Sequence, residues 1–241
     1  LAASALAYTS RNTCFSRQAR ALFRFERCSQ CIASVCFGLQ PTGFLRMPHI
    51  NPLSTFRSVL PKASRTAAGR ARIRLDGDEH LLAPRQLTGW VKLSFKAAPT
   101  VKVQGITRMM VTELDEHFSL YLSPINLDPE SPAMPISHPD YYAGYLAKRH
   151  GAYATLGLAE DTWALNEGVT DDATFLKQAH DIDDERRTMF LTSLEKLRAG
   201  TLVCVFDATD RIQHMFWRYI DPKHPAHRTN VPAEHRDAIK A

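Results

Sequence analysis

Two periodicities run along this chain and occupy different stretches. From about residue 71, apolar and polar positions alternate. Arg72-Ile-Arg-Leu-Asp-Gly77 reads as a strand running into a turn, and Trp90-Val-Lys-Leu-Ser-Phe95 as another strand. Val101–Val111 and Phe118–Leu122 continue the series, broken by the polar stretch Glu113–Glu116. A period of two sends successive side chains to opposite faces, so these runs predict an antiparallel sheet of about four strands, one face packed and one wet.

Past residue 130 the pattern turns helical. Asp128-Pro-Glu-Ser-Pro-Ala-Met-Pro-Ile-Ser-His-Pro139 is a proline-rich connector, irregular and exposed. Pro139–Lys148 begins a short helix, with Asp140 as a first-turn charge. Asp161 or Thr162 caps a second short helix that Gly168 stops. Asp171–Arg198 is the longest helix, with Phe175, Ile182, Phe190, Leu191, Leu194 and Leu197 on one broad stripe. Asp181, Asp183, Asp184, Glu185, Arg186 and Arg187 then form its solvated face. Gly200 ends that helix. The run Leu202–Phe206, apolar and rich in β-branched and aromatic residues, predicts a buried central strand. A helix leading into a buried strand is the alternation of a parallel sheet. Thr209 is positioned to cap the helix after it, and Pro232 opens a final helix at the position proline favours.

Candidate chemistry gathers just after that strand. Asp210 and His214 are four residues apart, about one helical turn, so they share a face. A carboxylate and an imidazole converging beyond a strand's carboxyl end suit a divalent metal. The plainer reading makes Asp210 a capping residue and His214 a surface histidine. Asp207 is either a further ligand, a group that orients one, or an N-terminal charge favouring the helix dipole. Glu160 and Asp161, beside Trp163, have the chemistry to orient a substrate or a metal-bound water, or simply to start a helix. His138 could reach a site, although a turn histidine beside proline is more often a surface group. His224 and His227 lie in a proline-interrupted loop and read as solvent-facing.

The stretch Phe206-Asp-Ala-Thr-Asp-Arg-Ile-Gln-His-Met-Phe-Trp-Arg-Tyr-Ile-Asp-Pro222 resembles the internal metal-ligand segment of the type I phosphodiesterase/nucleotide pyrophosphatase family, in the alkaline phosphatase superfamily. Gly157–Glu167, Leu122–Asp128 and Pro135–Pro139 resemble the same group, so the similarity runs from about Arg72 to the end. The resemblance implies an α/β fold: part of an alkaline-phosphatase-like parallel sheet, with a small antiparallel β insertion that shapes substrate access. It implies hydrolysis of phosphate mono- or diesters such as nucleotides, by a threonine or serine nucleophile and two metal ions, commonly zinc. Asp210 and His214 match the internal Asp-x-x-x-His pair that holds one metal. The family's nucleophile segment and its Asp-His-Gly segment are not found in the chain, and the first residue is Leu1 rather than Met. The expectation is therefore a middle piece of a larger enzyme, with one partial metal site and little activity alone, since catalytic zinc uses about three protein ligands plus water.

Charge divides the chain. Residues 1–75 hold 12 basic residues and one acidic residue, Glu26, whereas residues 76–241 hold 18 basic and 24 acidic. The net charge of +5 thus conceals a basic first segment and an acidic body. The first segment, rich in serine and arginine with no sustained period, reads as a transit-like peptide, a disordered basic arm or a non-native extension. Three divisions follow: a basic segment over 1–70, a β insertion over 71–130 and a partial α/β core over 131–241. Cys14, Cys28, Cys31 and Cys36 fall in the first part; Cys28-x-x-Cys31 lacks the second pair of a zinc finger. Cys204 stands alone in the body as a packed thiol, so no oxidising compartment is needed and a cytoplasmic location is expected. No run of about 18 apolar residues indicates a membrane span. A phosphate-ester small molecule is the expected partner, with no clear nucleic-acid or membrane partner. The rival function is a non-catalytic binding module whose basic arm tethers an acidic body to nucleic acid or a membrane surface.

Overall fold

The computed structural model describes residues 6–7, 21–25, 62–98, 101–114 and 118–240. The cysteine-bearing basic segment expected over 1–70 lies mostly outside the described residues, as do Cys14, Cys28, Cys31 and Cys36. The chain divides into two compact units between Tyr141 and Tyr142.

Alternation builds the first unit. Its strands are β1 (Leu6–Ala7), β2 (Ala21–Phe25), β3 (Lys62–Arg65), β4 (Ala71–Leu75), β5 (Asp78–Leu82), β6 (Val91–Ala98), β7 (Val101–Thr107), β8 (Met109–Leu114), β9 (Phe118–Leu122) and β10 (Asn126–Leu127). In β4 the residues Ala71, Ile73 and Leu75 are buried and the arginines between them are exposed. Arg72 and Arg74 each place Nε 3.0 Å from the Glu79 carboxylate on the paired strand. Asp76 and Gly77 join β4 to β5 with φ of 52° and 96°. Two successive positive φ values make the tight turn whose twist matches the flanking strands. β3, β4 and β5 form one antiparallel sheet, β6, β7 and β10 a second, and β1, β2, β9 and β8 a third. Strand β9 pairs with β8 on one edge and with β2 on the other, in a register that sets Phe25 against Phe118. The stretch Val101–Val111 is two strands rather than one. At the break, the Arg108 backbone N–H donates to Ser123 Oγ at 2.8 Å. Ile73, Leu75, Leu93, Met109, Val111 and Leu120 carry the core.

The second unit is helical: α1 (Tyr141–His150), α2 (Thr162–Asn166), α3 (Asp172–Lys196), α4 (Ala208–Phe216) with a 3-10 turn over Trp217–Tyr219, and α5 (Ala233–Asp237). Asp171 starts α3 by accepting the Thr174 N–H at 2.8 Å. Gly200, at φ 108°, follows the end of the helix. Phe175 and Ala179 of α3 meet Ile212 and Phe216 of α4 in the core. The Phe216 ring lies 6.2 Å from Phe175, 5.6 Å from Tyr219 and 5.8 Å from His235. The expected stripe on α3 holds at its start. Toward the end it departs, since Leu191, Leu194 and Leu197 are exposed while Thr192 is buried.

The fold class expected from the resemblance is corrected. The unit built of strands has antiparallel sheets; among the described residues, parallel pairing is limited to Leu6–Ala7 with Ala21–Leu22 and an isolated bridge from Pro84 to Val111. No parallel-sheet core stands among the described residues. The run Leu202–Phe206, read as that sheet's central strand, belongs to no sheet. Thr209 does not cap α4: the helix begins at Ala208 after Asp207, and the Thr209 hydroxyl reaches back to the Phe206 carbonyl at 3.4 Å. Among the described residues, no helix is long and apolar enough to cross a membrane.

Candidate functional site

Two features of the helical unit stand out against ordinary packing. The first is a buried carboxylate. Glu160 precedes α2, is almost wholly buried, and neither carboxylate oxygen has a hydrogen-bond partner among the described residues. Burial pushes its pKa up from the ordinary 4.5, and the nearby Asp207 charge pushes the same way. Its own backbone N–H, Arg186 and Arg211 pull the other way. Desolvation is the largest of these effects, so the net direction is upward. Asp207 is ion-paired with Arg186 of α3, and the Arg211 Nε is buried without a partner. Next to Glu160, the Asp161 carboxylate accepts the Ala164 N–H at 3.0 Å and caps α2, while its backbone N–H donates to Gln178 Oε1 at 2.8 Å.

The expected site residues are thus only partly brought together. Glu160, Asp207 and Asp161 lie around the meeting of α2, α3 and α4, but Asp161 serves as a cap. His138 is exposed in the first unit's connector. Asp210 and His214 occupy the exposed face of α4, with Nε2 of the imidazole 3.3 Å from Oδ1 of the carboxylate. Arg186, Arg211 and Gln178 escaped the sequence reading. Arg186 sat in a charge run read as solvated, yet it follows Gln178 and Ile182 at four-residue spacing, on the face that α3 buries. That spacing was the available signal. His227 Nδ1 pairs with the Arg218 carbonyl at 2.9 Å, and His224 Nδ1 accepts the Ala226 N–H at 3.1 Å, so both histidines shape their own loop.

The second feature is the run Thr201–Phe206. Leu202, Cys204 and Phe206 are half-buried; the Phe206 ring meets Phe190 of α3 edge-on at 5.9 Å. The other face is open, with Val203 80% and Val205 72% exposed. From Leu202 to Val205, no backbone N–H or C=O has a backbone partner among the described residues. The alternation of exposure is that of a strand lying on a helix, with both ladder edges vacant among the described residues. Leu202 also borders a cavity of about 280 Å³ lined by Tyr142, Tyr145, Ser193 and Lys196.

The chain gives no significant match to protein-family models, to curated proteins or to solved structures. The resemblance to the phosphodiesterase family is corrected accordingly: the parallel-sheet core that family requires is replaced by antiparallel sheets. The phosphohydrolase function and its zinc chemistry lose their footing with it, since no group of three or more His, Cys, Asp or Glu able to hold a metal occurs among the described residues. The segments that carried the resemblance have local structural work. Asp128 is fully buried, accepts the Glu130 N–H at 3.0 Å and lies 3.5 Å from the Lys92 ammonium. Gly157–Glu167 carries α2 and its cap.

Proposed function

We propose that the helical unit is a protein-interaction module that docks an added β-strand along Leu202–Phe206. One observation carries the reading: an extended apolar run is anchored on one face and, among the described residues, its backbone donors and acceptors are vacant along both edges. Folded proteins blunt such edges with charge, proline, bulges or a covering element. None of the six residues from Thr201 to Phe206 is charged or a proline. Strand addition satisfies the vacant groups of one edge and sets the side chains of the added strand beside Val203 and Val205. The test is amide hydrogen exchange on the dilute full chain. Fast exchange at Leu202–Val205 is expected, slowing when an extended seven-residue apolar peptide is added. Slow exchange in the dilute chain without peptide would refute the reading, because the edge would already be occupied.

A second reading attaches to Asp210 and His214. Ligands on a tetrahedral metal at about 2.0–2.1 Å stand about 3.3 Å apart. The observed 3.3 Å matches that edge and is long for a charge-assisted hydrogen bond. The spacing favours a labile divalent cation held by two protein groups and water. Cobalt(II) titration followed by NMR tests it: line broadening should centre on α4 and vanish in His214→Ala. Broadening that ignores the substitution would reject it.

A further inference from the structure

We propose that the strand docked on Leu202–Phe206 is the same segment of a second copy, running antiparallel about Cys204. This rests on the strand-docking reading and names the partner. Two observations single out a second copy.

The first is the symmetry of the sequence about Cys204. Antiparallel pairing centred there sets Val203 against Val205 of the other copy, and Leu202 against Phe206. Neighbouring side chains across such a pair share a face. The exposed valines, 80% and 72% accessible, therefore cover one another, while the anchored residues keep the face that lies on α3. A β-branched pair of this kind is a favourable cross-strand neighbour.

The second is charge. The segment is preceded by Lys196 and Arg198 and followed by Asp207 and Asp210. Arg198 is exposed, and so is Asp210. An antiparallel partner brings the basic approach of each copy to the acidic exit of the other, and the two-fold axis makes that contact twice. A parallel partner would set like charges side by side, which disfavours it. The same polarity also disfavours a strand flanked the other way round, so the segment itself discriminates between partners. The pairing is isologous, as a two-fold interface must be, and it closes at two copies on this edge. A single short strand pair is a small interface, so the dimer is expected to be reversible and visible only at micromolar concentrations or above.

The test is sedimentation velocity on the full chain from about 1 to 200 µM, with amide exchange measured at both ends of that range. A reversible monomer–dimer equilibrium is expected, with Leu202–Val205 protected only at the high end. V203K/V205K sets four lysines around the two-fold axis and should abolish the dimer; both side chains are exposed, so the fold should survive, as circular dichroism can verify. R198E should weaken the dimer by roughly two- to thirtyfold, and R198E/D210R should restore it, in keeping with exposed ion pairs of about 0.2–1 kcal/mol made twice.

Each other outcome is decisive. A monomer throughout, with fast exchange at Leu202–Val205, overturns the second-copy proposal and leaves the docking reading standing. A monomer with slow exchange overturns both. A dimer that tolerates V203K/V205K, or that R198E/D210R fails to restore, places the interface elsewhere and overturns the proposal.

Discussion

Replacing Glu160 with glutamine should make the helical unit more stable, and more so as pH rises. Glu160 is 4% exposed and its two carboxylate oxygens lack hydrogen-bond partners among the described residues. A buried acceptor left unpaired costs about 1–3 kcal/mol, and more when charged. Its own backbone N–H, Arg186 and Arg211 offset part of this and Asp207 adds to it; the balance leaves the pKa raised above 4.5. The sign follows from proton binding. Between 4.5 and the raised folded value, the folded state holds a proton that the unfolded state has lost. Protonated Glu160 therefore contributes stability that is fully present below the unfolded value and lost as pH rises through the folded value. Glutamine keeps the shape and removes the charge, so Glu160→Gln should gain about 1–3 kcal/mol at pH 8, with the gain shrinking toward pH 4.5. Urea unfolding, read by Trp163 and Trp217 fluorescence in a Trp90→Phe background, reports on this unit alone, since Trp90 is the tryptophan of the other. A loss of stability in Glu160→Gln at pH 8 would refute the reasoning. It would mean that the guanidinium groups outweigh desolvation and that the charged form is the stabilised one.

Phe216→Ala should cost about 3–5 kcal/mol, because the fully buried ring touches Phe175, Tyr219 and His235; the same urea assay measures it. Asp171→Ala should cost about 1 kcal/mol by freeing the Thr174 N–H at the start of α3, and Asp171→Asn should recover most of it. In the first unit, Gly105→Ala should destabilise by about 1–3 kcal/mol. Its Cβ would sit 2.7 Å from Ile125 Cγ2 and 3.1 Å from the Asn126 carbonyl oxygen; thermal unfolding with Trp90 as reporter, in a Trp163→Phe/Trp217→Phe background, checks this.

The hairpins were legible because their signals are local. Arg72-Ile-Arg-Leu-Asp-Gly77 carries alternation and turn chemistry in six residues, and β4 with its turn follows. The start of α3 was legible for the same reason, through Asp171 at the boundary. Leu202–Phe206 was misread because its composition reports only that a strand-like surface is wanted. Whether a neighbouring strand exists depends on residues far along the chain, and no local pattern encodes that. Arg186 was misread because a charge run looks solvated until a second element, here the Asp207 end of α4, lies against it. The Asp-x-x-x-His spacing was correctly read as sharing one helix face. What the spacing could not supply was a third ligand, which has to come from another element.

The two edges of β9 carry a consequence for how the first unit assembles. On one side it pairs with β8 across a three-residue connection, 115–117; on the other it pairs with β2, in a register that joins Phe25 to Phe118. Closing the longer loop, about five doublings longer than the shorter, costs about 3 kcal/mol more in chain entropy. The β8–β9 hairpin is therefore expected to form early and present a finished edge, onto which β2 pairs later. Strand β2 should therefore join after the β8–β9 hairpin and open before it, a sequence that amide exchange would show as lower protection on β2 than on β8.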